Sequence, residues 1–276
     1  MPQIPEIDRL LAADEANVQT MRKVFTDYSQ ELPELLNTAS ELYTTCSRAF
    51  GQALSDETRG LLIDNSAVEK IQAKVQRGLL LARIGVLYST AVTDFLRMRL
   101  TMPLACVRLQ CESLALVKLM FENPSVAQQW MSIQTDKDGR TFFYQHQKRL
   151  KAILETYSLA EVYDQTSGVA LHSRFIGLAR GYRTARRSDG HRITQSYIML
   201  AQEFDGENPD HFMVQVFHVL HIQARIFASL KDAVPEINDP LLLETRIPQF
   251  IERVDRLFRR FGEHFKQRHP KLPDQL

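Results

Sequence analysis

The sequence predicts an all-α fold, a multi-helix bundle built around a buried helical hairpin at about residues 66–121. Three observations predict it. Apolar residues recur at helical spacing along almost the whole chain. Gly and Pro are sparse, 11 each among 276 residues, and no run of β-branched residues alternates with polar ones. One segment, from Pro103 to Phe121, is apolar nearly all round, as a helix is when neighbours surround it.

The elements follow in order. A first long helix is expected over Asp14–Leu32, with Val18, Met21, Phe25 and Tyr28 on one face, and Pro33 then imposes a break or kink. A second, from Glu34 to about Ala53, buries Leu35, Ala39, Leu42, Tyr43, Cys46 and Phe50. Ser66 with Glu69 three residues on reads as a capping box for a third helix reaching Leu100. Thr101 and Pro103 supply the cap and first turn of a fourth. Asn123-Pro124 repeats that start signal for a short helix carrying Trp130, and Asp136 to Gly139 reads as a polar turn. Helices are expected from Arg140 to Tyr157 and from Leu159 to Ala179. The stretch from Gly181 to Gly206 is the least regular, with Arg186 to Gly190 as a loop. Asn208-Pro209-Asp210 opens a helix to about Ala233, and a Pro- and Asn-bearing linker precedes the last helix, Ile247 to Gln267. That helix carries a clear apolar seam of Ile247, Phe250, Ile251, Val254, Leu257, Phe258, Phe261 and Phe265. With no internal repeat or low-complexity tract, residues 1–276 read as a single all-helical domain, with an N-terminal helical hairpin, 1–60, packed on it.

Composition excludes some function classes. A net charge of +1 gives no global attraction to nucleic acid or anionic membranes. A hydrophobic content of 44% and a charged content of 24% are those of a soluble globular protein. Cys46, Cys106 and Cys111 form no disulfide framework and lack metal-ligand spacing, which points to a reducing, cytoplasmic setting. The N-terminus has neither the basic region nor the apolar run of a signal peptide. Gly78 to Leu100 comes nearest to a membrane span, but Arg83 and Asp94 within it, and Arg97 and Arg99 at its end, are costly in lipid. A buried soluble helix is expected there, with no membrane partner.

Arg108 and Glu112 stand out because they sit inside the apolar fourth helix, where charges are tolerated only if something answers them. If the third and fourth helices fold back at Thr101-Met102, Asp94 lies opposite Arg108, and Arg83 shares a face with Asp94. Asp94, Arg108 and Glu112 are therefore expected to form one ionic cluster. The cluster is either a brace fixing helix register, worth about 3–5 kcal/mol to whoever removes one partner, or a ligand or catalytic site on rigid helices.

Arg108 and Glu112 on an apolar helix, followed by Tyr163, Ser167 and His172, resemble a loose bacterial family of helical proteins without assigned function. That family has an Arg-Ser-x-x-Glu helix ahead of a Tyr-x-x-Leu-Ser-x-x-x-His element. Here Leu109 stands in place of the Ser and Thr166 in place of the Leu, and the His comes one residue late. The resemblance spans about residues 75–180 and implies a shared polar centre with no activity attached. Beside it, Tyr163 and Ser167 share a helical face, and His172 near an Arg and a Glu is a candidate for acid–base chemistry.

A different reading comes from the HEPN-type ribonucleases of toxin and defence systems, in which an Arg and a His four to six residues later act on RNA without metal. Arg140 with His146 is the best of three such spacings in this chain, although none has the usual Asn, Asp or His right after the Arg. Arg174, Arg180, Arg183, Arg186, Arg187 and Arg192 form a local basic run that could steer phosphates. His218 and His221, one turn apart, are weak metal-ligand candidates with no third ligand in view. No cofactor is expected, since Gly-rich phosphate loops, zinc-finger spacings and nucleophile elbows are all missing. Two functions follow as expectations. The first is a cytosolic interaction or regulatory protein, bacterial in style, whose ionic centre is structural or binds a small ligand, with a protein partner or second copy docking through the 247–267 helix. The alternative is a metal-independent HEPN-like ribonuclease with RNA as its partner.

Overall fold

The first break in the chain falls at Ser29 and Gln30, ahead of Pro33 and not at it. In the computed structural model, which describes residues 5–59, 65–99, 101–166, 182–186, 192–196 and 209–268, α1 spans Pro5–Tyr28 and α2 Glu31–Thr58. Pro33 is the third residue of α2, where no backbone N–H is used within a helix, so the ring is accommodated without a kink.

The third and fourth helices, α3 (Asn65–Leu96) and α4 (Thr101–Glu122), form as expected, but Ser66, expected as a cap, lies inside α3, which stops at Leu96 and not Leu100. The end of α3 was not legible as such. Arg99 N–H reaches the Asp94 carbonyl at 2.9 Å and Met98 N–H the Phe95 carbonyl at 2.9 Å, with Met98 at a φ of 60°. This is a Schellman stop made without glycine. Next come α5 (Ser125–Met131) and α6 (Asp136–Thr156). Asp136 to Gly139, expected as a turn, is the first turn of α6. Thr135 and Asp138 cap each other's backbone there, and the carboxylate replaces the usual Glu or Gln of the box. A second Schellman stop at Ser158, φ 56°, ends α6 and leads into α7 (Ala160–Thr166). The remainder of the helix expected to Ala179 lies outside the described residues.

Within the stretch expected to be irregular, β1 (Tyr182–Arg186) and β2 (Arg192–Ser196) pair antiparallel, with Arg183 opposite Gln195 and Arg186 opposite Arg192. The chain closes with α8 (Pro209–Ala233), a π-helical turn at Leu241–Arg246, and α9 (Ile247–Arg268). The π turn replaces the last part of the expected linker. The class is all-α, a multi-helix bundle, to which the described residues add this one hairpin.

The centre of the bundle is α4. It packs along α3 on one side and against α8, α6 and α7 on others, while α2 packs on α3 and α9 on α8 and α2. One hydrophobic core runs from Met21 on α1 to Phe265 on α9. The α2–α3 contact is close because two glycines, seven residues apart, face it. A Cβ on Gly85 would stand 3.0 Å from Tyr43 Cβ, and one on Gly78 would stand 2.8 Å from the Phe50 ring.

Polar groups inside the core close on themselves. Gln110 and Gln223 exchange amide hydrogen bonds at 3.1 Å in both directions, Tyr43 donates to Gln223 Oε1 at 2.6 Å, and Gln110 donates to the Ile84 carbonyl at 3.0 Å. The network ties α2, α3, α4 and α8 in one register, because a satisfied buried polar group is lost if any helix slides. Arg77, only 2% exposed, does the same at one end. It donates to the Val117 carbonyl at 3.1 Å, to the Ala233 carbonyl at 3.0 Å and to Glu236 Oε2 at 2.9 Å, and it pairs through Nη1 with Glu236 Oε1. The Phe121 ring lies 4.7 Å from its guanidinium carbon.

Candidate functional site

On α4 the residues turned away from α3 meet α6 and α7, and two of them are Arg108 and Glu112. Four residues apart, they share one helix face. Glu112 Oε1 accepts from Arg108 Nε at 3.2 Å and from the Tyr163 hydroxyl of α7 at 3.0 Å, and Arg108 Nη2 pairs with it at 3.1 Å. Arg108 also lies over the Tyr163 ring, 5.1 Å from its centroid, and Nη2 reaches the hydroxyl at 3.4 Å. The pair is half-buried, 18% and 15% exposed, because it forms the floor of an open cleft of about 910 Å³.

Tyr163 keeps its proton firmly. Burial raises its pKa, the Glu112 carboxylate raises it further, and Arg108 offsets only part of this. The hydroxyl therefore donates to Glu112 and is not itself a ready base. Across the cleft Lys151 and Asp164 form a second ion pair at 3.0 Å, and Phe143 and Tyr144 of α6 supply aromatic walls. None of these four was singled out from the sequence. The capping box at Thr135, which orients α6, and the aromatic run Phe142-Phe143-Tyr144 were the available signals.

Asp94 does not join this centre. It bonds Arg99 at 3.4 Å, Arg99 in turn bonds Asp14 of α1 at 3.3 Å, and Asp94 borders a different cleft, between α2 and α3. Counting equal distances from the turn assumes that both residues face the α3–α4 contact. Instead Arg108 looks from the far side of α4 toward α6 and α7, and Asp94 looks from α3 toward α2. Arg83, expected to share Asp94's face, is exposed.

Of the other candidates, Ser167, His172, Arg174, Arg180 and Arg187 lie outside the described residues. Arg183, Arg186 and Arg192 are placed by backbone register on the β1–β2 hairpin. Arg140 and His146 diverge, since six residues carry them about 120° apart around the α6 axis. Arg140 borders the cleft, whereas His146 meets Gln129 Oε1 at 3.0 Å and the Phe142 ring at 4.7 Å. Burial, and then Arg149, lower the pKa of His146.

His221, one turn along α8 from the partly buried His218, is spent on packing. The His221 ring stacks on Phe258 at 4.9 Å, its Nε2 accepts from Arg225 Nε at 3.2 Å, and its Nδ1 lies 3.5 Å from Asp255. Among the described residues no three His, Cys, Asp or Glu side chains converge as a metal site would require. All three cysteines are buried, and burial pushes their thiols up to about 12 for Cys46 and Cys111 and about 11 for Cys106. They are held as inert thiols.

The seam of α9 is occupied within the molecule. Ile247, Phe250, Val254, Leu257, Phe261 and Phe265 are buried, and α9 packs on α8 and α2. Ile251 and Phe258 of the expected seam are only partly buried, and the charged face meets solvent. Two helical stretches, Lys70–Leu96 and Phe212–Ala233, are long and apolar enough to cross a membrane, and core helices satisfy the same criteria. No family model, curated protein or solved structure matches the chain.

Proposed function

We propose that this chain is a helical interaction or regulatory protein that binds a small ligand at Arg108, Glu112 and Tyr163. The observation that carries the reading is a contrast between two Arg–Glu pairs. Arg77 and Glu236 are closed by the protein: every guanidinium nitrogen has a partner, which is what a brace needs. Arg108 and Glu112 are left half-answered at the floor of a cleft large enough for a small molecule. A charged pair kept dry on one side and open on the other is poorly used as a brace and well placed as a recognition element.

The ribonuclease alternative draws no support from α6, where Arg140 and His146 point apart. Native mass spectrometry of the protein purified from its own cells tests the proposal. A discrete extra mass is expected on the wild-type chain, and it should be lost in the Arg108→Gln/Glu112→Gln double variant. A bare wild-type mass, or an adduct that survives in the folded double variant, rejects the reading.

A further inference from the structure

The cleft's chemistry narrows the class of ligand. Its charges cancel: Arg108, Arg140 and Lys151 face Glu112, Asp136 and Asp164, so neither an anion nor a cation gains from the local field. The specific bonds are left to the floor. There Glu112 Oε1 accepts from two donors and pairs with Arg108 Nη2, while Oε2 accepts none among the described residues. Arg108 uses Nε and Nη2, and its Nη1 donates to no partner among them. Neither leftover atom is a sealed, unsatisfied one; among the described residues that condition belongs to His221 Nδ1 alone. Both are therefore open to solvent, and the solvent beside this pair is the cleft.

One ion pair thus offers one spare donor and one spare acceptor, with the Phe143 and Tyr163 rings nearby. We infer that the cleft takes a neutral, planar ligand with an amide-type edge. The ligand's carbonyl oxygen accepts from Arg108 Nη1, its adjacent N–H donates to Glu112 Oε2, and its flat body lies against the aromatic wall. A carboxylate of the same shape satisfies Arg108 but sets negative oxygen against Glu112 Oε2. An amidinium satisfies Glu112 but sets its charge against Arg108. In a half-desolvated site either mismatch is heavily penalised, which is how a buried polar edge rejects the wrong partner.

This inference rests on the ligand-site reading, and benzamide, benzoate and benzamidine test it, because they share a ring and differ only in the edge. Titrated into isotopically labelled protein and followed by NMR, benzamide should shift resonances of Tyr163, Phe143 and Leu150 with a millimolar Kd. Benzoate and benzamidine should bind at least ten-fold more weakly. In Glu112→Gln the repelling carboxylate is gone and Arg108 is freed, so the preference should turn from benzamide to benzoate, a reversal that a purely structural Glu112 does not produce. The wild-type comparison stands by itself if that variant fails to fold. Benzoate or benzamidine binding the wild type as well as benzamide overturns the amide class and leaves the ligand site standing. Silence from all three probes overturns the class as well, and only a bare native mass spectrum alongside it removes the site.

Discussion

Arg77 and Arg108 carry the same charge on neighbouring apolar helices, yet their surroundings set opposite costs for losing them. Arg77→Met keeps the buried stem but strands the Val117 and Ala233 carbonyls in a dry environment and takes from the Glu236 carboxylate, itself 15% exposed, its only cation partner among the described residues. The expected loss is about 3–5 kcal/mol in urea unfolding. Glu112→Ala, at a half-open cleft, should lose about 1 kcal/mol, because water can answer Arg108. Glu252→Ala, 77% exposed on α9, should stay within about 0.5 kcal/mol of the parent. Equal midpoints for Arg77→Met and Glu252→Ala would sink this ordering. Arg108 and Glu112 were legible in the sequence because both partners lie within one helical turn. Arg77 was not, although it interrupts the apolar stripe of Ala73, Leu80, Leu81 and Ile84, because its partner lies 159 residues away in a linker that no periodicity describes.

At the scale of elements, glycines separate helix propensity from packing. Gly51 in α2 and Gly262 in α9 have nothing within 4 Å of an added Cβ, so alanine there should raise stability by about 0.5–1 kcal/mol through helix propensity alone. Gly85→Ala gains the same propensity but meets Tyr43 Cβ at 3.0 Å. That atom is fixed to the α2 backbone, and Tyr43 is held further by its bond to Gln223 at 2.6 Å, so neither can yield cheaply. A net loss of about 1–3 kcal/mol is expected. Thermal melts of the three variants check this, and a Gly85→Ala melting temperature above the parent's would show that α2 and α3 part freely. Helix starts were readable where a polar cap and proline coincide, as at Thr101 and Pro209. Helix ends at Met98 and Ser158 were not, because each stop puts a non-glycine residue at positive φ and so carries none of the usual sequence punctuation. The same reasoning explains the misread turn at Asp136, where Gly139 suggested a break although Thr135 and Asp138 were closing a cap.

For the whole molecule, the all-α class was legible from periodicity, but which helices meet was not. Asp94 and Arg108 sit on opposite flanks of the α3–α4 pair, a fact set by α8, α6 and α7 enclosing α4 and not by either helix alone. The joint of α7, α8 and α9 has a consequence for global stability. On α8, burial first, and then His221 and Arg225, hold the His218 imidazole below its ordinary value of 6.5, against a pull from Glu161 of α7. Burial and Arg225 likewise lower His221, against Asp255 of α9. The unfolded chain has no such penalty. Above pH 6.5 both imidazoles are neutral in either state, and stability is at its full value. As pH falls through 6.5 the unfolded chain takes up protons that the folded one refuses. Stability therefore drops, by up to about 1.4 kcal/mol per pH unit for each such proton, until the folded-state values are reached. Urea unfolding between pH 7.5 and about 5.5, above the range where carboxylates titrate, should show this decline, and the His218→Gln/His221→Gln double variant should reduce its slope, leaving the part that His146 contributes. A parent chain whose stability is level or rising over that window would mean that Asp255 and Glu161 outweigh burial, and that the α8–α9 joint tightens in acid.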